Sequence, residues 1–452
     1  MFRKILVANR GEIALRVIRA CKDMDIKSVG VYSEADSESL HLRFADETVC
    51  IGPAVSAKSY LSIENILAAA TETGADAIHP GYGYLAENED FAKACLDEAL
   101  VFIGPTPDNL RLAGNKISAK QIMENAGIPV IPSSPGGVTD LEEAKGLCAD
   151  IGYPVMIKAS GGGGGRGIRV CPTEEVLAEE FPVARMEAGA AFGNDELYIE
   201  KLIVEPRHIE FQIMADTFGN IAHLGERECT IQRRFQKLIE ESPSPRLSPE
   251  LRQAMGDAAI AAARAVNYVN AGTVEFLVDR SGNFYFMEIN ARIQVEHPVT
   301  ELTTGIDLVR EQIDIAAGKR IDYAFEDLNL RGWAIECRIN AEDPARGFLP
   351  SPGTVASFHA PAGYGVRVDT HLYQGYALPI YYDSLVAKLI AFDLSREGAI
   401  RIMKRALAEF DLDPLKTTIP LHLEIMDDPD FQKGEFSTDF IKRFVSDDED
   451  DD

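Results

Sequence analysis

In the stretch Phe284 to Thr300, FYFMEINARIQVEHPVT, five residues able to hold ions or move protons fall on alternate positions: Glu288, Asn290, Arg292, Gln294 and Glu296. Tyr285, Met287, Ile289, Ala291, Ile293 and Val295 fall between them. In an extended chain the polar set would share one face at spacings of about 6.6 to 7 Å, above an apolar floor. Alternation alone fits either a binding face or a half-buried strand whose polar side is wet. A strand of this whole length would exceed the usual size, so regular pairing is expected to end near Asn290 and give way to an ordered loop. His297-Pro298 supports that reading, because the residue before a proline tends to leave the helical region and proline cannot donate to a ladder.

Glu275 lies upstream in a strand-like run, Thr273 to Val278, and Asp279 to Asn283 reads as the turn that returns the chain into Phe284. Such a hairpin sets Glu275 beside Glu288. Two carboxylates on adjacent strands repel unless a cation lies between them. A pair of hard oxygen ligands, completed by water and phosphate oxygens, is how proteins usually hold Mg²⁺. The expectation is a magnesium-nucleotide site.

Other segments must position these groups. Residues 1 to about 113 alternate strand candidates (4–8, 28–32, 47–51, 76–80, 100–104) with helix candidates (12–22, 62–73, 89–98), the pattern of a parallel, doubly wound sheet. Gly11 stands alone in the first turn, short of the dinucleotide pattern GxGxxG, and is read as a turn residue. His79 to Tyr84 ends another strand, where ligands of open α/β sheets gather; its Gly-aromatic loop could be a flat wall for a ring or a rigid turn packed by two tyrosines. A helix is expected from Gly114 to Ala126. A compact piece follows at 138–205, whose strand Pro154 to Ala159 carries Lys158 and runs into five successive glycines, Gly161 to Gly165. Each glycine weakens an ordered state by roughly 0.5–1 kcal/mol relative to alanine, so such a run serves mobility or a close backbone approach to phosphate. It joins two apolar strands and is read as a phosphate-covering hairpin, with Lys158 as a candidate phosphate contact; no GxxxxGK[ST] loop is present. Cys229 to Lys237 concentrates cations in an acidic chain, as a salt-bridged face or a site for an acidic substrate. Pro249 to Ala265 reads as a helix, Trp333 to Glu342 alternates again, a β-rich region follows, and Arg396 to Phe410 reads as a helix. The acidic tail 447–452 has nothing to bury and is expected to be disordered.

At 452 residues the chain implies two or three domains. A net charge of −27 argues against a general nucleic-acid binder, which needs a basic surface. The seven cysteines are dispersed without metal-like spacing, which fits free thiols in a reducing cytoplasm. Met1 to Ala8 lacks a signal-peptide pattern, and no run approaches the ~20 apolar residues of a membrane span.

Taken together, NRGEIALR (9–16), HPGYGYLAEN (79–88), FIGP (102–105), GNK (114–116), KASGGGGGRG (158–167), ERECTIQRR (226–234), RIQVEHPVTE (292–301) and ECRINAEDP (336–344) make the chain resemble the biotin carboxylases over essentially residues 1–446. The resemblance implies a mixed α/β and α+β chain: a Rossmann-like N-terminal domain (1–113), a helical linker (114–137), then an ATP-grasp fold with a mobile glycine-rich lid (138–205) and a C-terminal domain (206–446) that ends in a β-rich part. It implies ATP, Mg²⁺ or Mn²⁺ (two ions), bicarbonate, and biotin carried on a separate protein, since no lysine here sits in a biotinylation motif. The partners it implies are a biotin carboxyl carrier protein and a carboxyltransferase subunit. It further implies a homodimer and a place in an acyl-CoA or pyruvate carboxylase, where the acceptor (acetyl-CoA, propionyl-CoA or pyruvate) is chosen by the separate carboxyltransferase.

By the same resemblance Lys116, Lys158, Gly163, Gly164, Gly165, Glu200, Lys201, Leu202, His208 and Gln232 match nucleotide-binding positions. Glu275, Glu288 and Asn290 match the metal site. Arg292, Gln294 and the Val295 backbone match the bicarbonate site, with Glu296 as general base and Lys237 as electrostatic stabiliser. Arg338 matches the residue that stabilises the biotin enolate, and Tyr82 with Gly83 the biotin wall. Phe235 departs from the family's RRHQK. The alternatives are another bicarbonate-using ATP-grasp ligase, such as a carbamoyl-phosphate-synthesising unit, and a catalytically weakened regulatory subunit.

Overall fold

The computed structural model describes residues 1–159, 168–192, 195–325, 328 and 330–445. The glycine run and the acidic tail lie outside them. Five short apolar segments, Lys4–Val7 (β1), Lys27–Tyr32 (β2), Glu47–Cys50 (β3), Ala77–His79 (β4) and Val101–Phe102 (β5), pair in parallel in the order β3-β2-β1-β4-β5. Parallel strands need crossovers, and the helices Gly11–Asp23, Leu40–Phe44, Ile63–Thr73 and Glu89–Asp97 supply them. Helix Gly11–Asp23 packs Ile13, Ala14, Val17 and Ile18 against Ile5 and Val7. A helix at Pro107–Gly114, outside the sequence reading, precedes the expected one, which runs Lys116–Asn125. Thr106 caps it, accepting from the backbone of Asn109 at 3.2 Å, with a proline in the first turn.

The chain divides into two units, and the smaller comprises 129–206 with the hairpin tip 277–287. In it Val155–Ala159 (β6), Ile168–Cys171 (β7) and Leu197–Lys201 (β8) form an antiparallel sheet in the order β7-β6-β8. Helices Leu141–Ile151 and Glu174–Phe192 contribute to a core of Ala144, Cys148, Val155, Ile157, Leu177, Phe181, Leu197 and Ile199.

The largest sheet is built from Arg207–Ala215 (β9), Ile221–Arg233 (β10), Gln236–Ser242 (β11), Asn270–Val278 (β12), Phe284–Asn290 (β13) and Trp333–Asn340 (β14), with Val366–Thr370 (β18) and Leu385–Asp393 (β20). Its order is β13-β12-β9-β10-β11-β14-β20-β18. Two small ribbons, Glu342–Asp343 (β15) with Leu349–Pro350 (β16) and Gly353–Thr354 (β17) with Ala377–Leu378 (β19), complete the β-rich region. The β10–β11 turn is the two-residue pair Arg234-Phe235, both at positive φ (48° and 65°), the left-handed geometry that matches strand twist in tight hairpins. Helix Arg396–Glu409 lies over β20 and shares its core: Cys337, Ile339, Leu389, Ala391, Met403 and Leu407. All seven cysteines are free. Among the described residues no helix is long and apolar enough to cross a membrane.

Pairing of β13 ends at Asn290, as expected from strand length. The expectation of a non-helical His297-Pro298 is overturned: both residues open the helix His297–Thr304, with Glu296 at its N-cap. Proline is tolerated there because the first-turn N–H groups have no intrahelical partner to lose.

Leu389 is completely buried between Cys337 of β14 and Val368 of β18. Leu389→Ala is expected to lower stability by about 2–5 kcal/mol through lost burial and a residual cavity, measured as a shift of the urea midpoint; an unchanged midpoint would show that this sheet face is not core.

Candidate active site

Strands β9, β11, β12 and β14 and the loop after β13 bring five acids into one buried neighbourhood. Glu210, Glu240, Glu296 and Glu336 have no exposed surface and Glu275 has 4%. None of them could stay charged there alone, since the effective cost of burying an unpaired ion is several kcal/mol. Lys237 answers three of them: its Nζ lies 2.6 Å from Glu210 Oε2, 2.9 Å from Glu275 Oε1 and 2.7 Å from Glu296 Oε1. Arg227 completes Glu210 through its Nε at 2.5 Å and donates onward to Gln212, Thr300 and Thr273. Arg338 reaches from Glu240 to Glu296 Oε2, the latter at 3.0 Å. Although Glu296 occupies a helix N-cap, its carboxylate makes no capping hydrogen bond. Both its oxygens are taken by Lys237 and Arg338.

This distribution sorts the acids. Burial pushes the Glu296 carboxyl up, but Lys237, Arg338 and Arg227 outweigh it and hold its pKa well below the ordinary carboxylate range. Burial likewise raises Glu275, while Lys237 and His208 bring it well below its ordinary value. Glu240 is pushed up to about 7 by burial, against the pull of Arg338. Glu336, its direct cross-strand partner, is raised well above the usual range by burial, Lys388 acting the other way; among the described residues neither of its oxygens has a hydrogen-bond partner. Burial alone would lower Lys237, and the surrounding acids keep it well above its ordinary value. The arrangement therefore offers an ionised base, Glu296, touching two fixed cations.

The loop after β13 is held from several sides. Glu87 accepts from Ala291 N at 3.1 Å and from Arg292 Nε at 2.9 Å. Arg292 donates to Gln294 Oε1 at 2.7 Å and to Asn290 Oδ1 at 3.2 Å. Gln294 lies 3.4 Å from Glu275 Oε1. The alternating face is thus not wet: Asn290, Gln294 and Glu296 are buried. Beyond Asn290 the chain is no longer a strand, so the shared parity does not carry through the loop.

Glu275 and Glu288 stand on the neighbouring strands β12 and β13, with Glu288 half-buried. His208 Nε2 lies 3.0 Å from Glu275 Oε2. Glu275, Glu288 and Asn290 offer a hard oxygen donor set, which suits Mg²⁺ or Mn²⁺. Gln232 pairs in register with Lys237, and the hydroxyl of Tyr82, in the loop that also contains Gly83, donates to Glu12 of helix Gly11–Asp23.

In the smaller unit Lys158 Nζ contacts Glu200 Oε2 at 2.5 Å, Lys201 turns to the carbonyls of Gly152 and Tyr153, both at 2.8 Å, and Leu202 is half-buried. Lys116 opens its helix, and its side chain lies outside the described residues, as do Gly163, Gly164 and Gly165. Sequence reasoning did not single out Glu12, Glu87, Glu210, Arg227, Glu240 or Lys388; it placed Glu336 with Arg338 on one face of an alternating strand but gave Glu336 no role. The alternation of His208, Glu210 and Gln212 along β9 was a signal for Glu210. Lys388, inside the apolar run LVAKLIAFD, had none in its pattern.

Three family models match in succession: "Biotin carboxylase, N-terminal domain" over residues 1–110, "Carbamoyl-phosphate synthase L chain, ATP binding domain" over 115–324, and "Biotin carboxylase C-terminal domain" over 336–443. The middle match and the site define an ATP-dependent ligase with an ATP-grasp core. The chain is 56% identical to a biotin carboxylase of Nostoc over 98% of its length and 99% of that protein's. It is 52% identical to a pyruvate carboxylase subunit of Methanothermobacter thermautotrophicus, over 98% and 90% of the two chains. Among solved structures it matches the biotin carboxylase domain dimer of Hydrogenobacter thermophilus 2-oxoglutarate carboxylase, in complex with MgADP, ADP and bicarbonate, at a TM-score of 0.89 and 50% identity, covering 98% of each chain. The chain belongs to the biotin carboxylase family. Its relatives include subunits of biotin-dependent carboxylases.

The state of Glu336 can be tested by pH. The unfolded chain releases this proton near the ordinary 4.5, whereas the folded protein keeps it to a much higher pH, so wild-type stability falls as pH rises above that value. Glu336→Gln removes this decline. As pH rises above about 5 the variant should gain on wild type, by at most about 1.4 kcal/mol per pH unit; a difference in urea-unfolding free energy between the two that does not change with pH would show Glu336 to be ionised.

Proposed function

We propose that this chain cleaves ATP to activate bicarbonate and passes the carboxyl group to biotin on a separate carrier protein. The observation that supports this most directly is Glu296, buried, ionised and touching both Lys237 and Arg338. Glu296 takes the bicarbonate proton, and a bicarbonate oxygen attacks the γ-phosphorus as the bond to ADP breaks. Lys237 offsets the charge that develops on the transferring group. Arg292, Gln294 and the Val295 backbone orient the bicarbonate. A divalent ion, or two, held by Glu275, Glu288 and Asn290 would neutralise charge on the nucleotide phosphates. Carboxyphosphate then divides into CO₂ and phosphate, the phosphate takes the ureido proton, and the biotin nitrogen attacks CO₂. Arg338 stabilises the biotin enolate, with Tyr82 and Gly83 beside the ring.

Lys116, Lys158, Glu200, Lys201, Leu202, His208 and Gln232 are proposed nucleotide contacts, with residues 138–205 and Gly163 to Gly165 as lid. The proposed partners are a biotin carboxyl carrier protein and a carboxyltransferase subunit, with a homodimer the proposed assembly and the cytoplasm the proposed location. Support comes from the MgADP and bicarbonate bound by the Hydrogenobacter domain dimer and from the relatives that are carboxylase subunits.

The test is ATP cleavage by the purified chain with and without bicarbonate and biotin. Cleavage should require bicarbonate and rise with free biotin or biotinylated carrier. Combined Glu275→Gln and Glu288→Gln should lower it by about a hundredfold or more. Bicarbonate-dependent cleavage that ignores biotin would favour a carbamoyl-phosphate type of ligase, and undiminished turnover in the double variant would remove the metal assignment.

A further inference from the structure

Lys388 has a fully buried side chain on β20, in register between Arg338 of β14 and Asp369 of β18. Directly opposed residues share a sheet face, so Lys388 and Arg338 stand side by side. Arg338 reaches the Glu296 carboxylate at 3.0 Å, and Lys388 Nζ donates to the carbonyl of the preceding residue, Val295, at 2.9 Å. The carbonyl before that, of Gln294, accepts from His297 Nδ1 at 2.8 Å. Two successive peptide oxygens of the proposed bicarbonate loop are thus each fastened to a buried donor. The same Nζ lies 3.1 Å from Glu12 Oε1, the oxygen to which the Tyr82 hydroxyl donates. Asp369, 3.9 Å away, is already met by two nitrogens of Arg367 at 2.9 and 2.7 Å, so Glu12 is the charge partner of Lys388.

Stability does not explain this lysine. A buried ion pair commonly contributes no more than well-packed apolar residues of the same volume, because desolvation offsets the attraction. Its geometry does something an apolar residue could not: it fixes the Val295–Glu296 peptide and, through Glu12, ties that peptide to Tyr82. We propose that Lys388 is a positioning residue for bicarbonate capture, holding the Val295 backbone while Arg338 holds the adjoining carboxylate, and that Glu12 links this hold to the biotin wall. The inference rests on the bicarbonate reading given above.

The test compares Lys388→Met, Lys388→Arg and the double variant Lys388→Met with Glu12→Gln, which leaves no unpaired charge where the single change could prevent folding. Bicarbonate-dependent ATP cleavage is measured against bicarbonate, ATP and free biotin. In both Met variants the KM for bicarbonate should rise by about tenfold or more while the KM for ATP stays within about twofold, as loosening one binding group predicts. The arginine should recover part of the loss. A bicarbonate KM that is unchanged in the folded variants, or that rises only in step with the ATP KM, overturns the proposal and leaves a structural ion pair. Wild-type protein without bicarbonate-dependent cleavage overturns the functional reading instead, and this inference with it.

Discussion

One ammonium group surrounded by three buried carboxylates is the constraint on which the site depends. Lys237 lies within 3 Å of Glu210, Glu275 and Glu296, and each of those acids needs it to remain charged away from water. Removing one member of such a cluster leaves the others uncompensated, which is costlier than the cluster's own net contribution to stability. The second cations therefore follow by necessity, Arg227 at Glu210 and Arg338 at Glu296, while the His208 ring lies 3.0 Å from Glu275. The consequence is a buried carboxylate, Glu296, held at both oxygens by cations that favour its ionised form. Fixed charges of this kind need no rearrangement as charge develops in a reaction, which is the basis of electrostatic catalysis.

Sheet register delivers that arrangement. Glu240 and Glu336 face each other directly across β11 and β14, and Arg338 and Lys388 do so across β14 and β20. Like charges opposed in this way would be destabilising unless neutralised. The acids manage it by raised proton affinity and a guanidinium, the cations by reaching away to Glu296 and Glu12. A slip of one residue in β14 or β20 would exchange Glu336, Arg338 and Lys388 for apolar neighbours. The core behind the sheet thus sets which charges meet.

Much of this was legible in the residue pattern. Alternating apolar runs foretold the parallel N-terminal sheet, and the hairpin through Asp279 to Asn283 followed from its turn residues. Glu275 and Glu296 were marked out by type and spacing, and ECRINAEDP put Glu336 and Arg338 on one strand face. What pattern could not supply was pairing between distant strands. Nothing local to Leu385–Asp393 says that Lys388 lies under Val295, and nothing in the β9 pattern says that Glu210 shares a cation with Glu296; both follow from strand order. The helix at His297 was misjudged because the ordinary bias before proline yields at a helix start, where the missing N–H costs nothing.

In the mechanism proposed, this charge cluster directs phosphoryl transfer to bicarbonate rather than to water. The most direct test uses bicarbonate labelled with oxygen-18, mixed rapidly with enzyme and ATP before the label exchanges with solvent. Attack by bicarbonate on the γ-phosphorus leaves one labelled oxygen in each phosphate released. Phosphate that carries no label, with its new oxygen drawn from water, would show that water and not bicarbonate is the nucleophile.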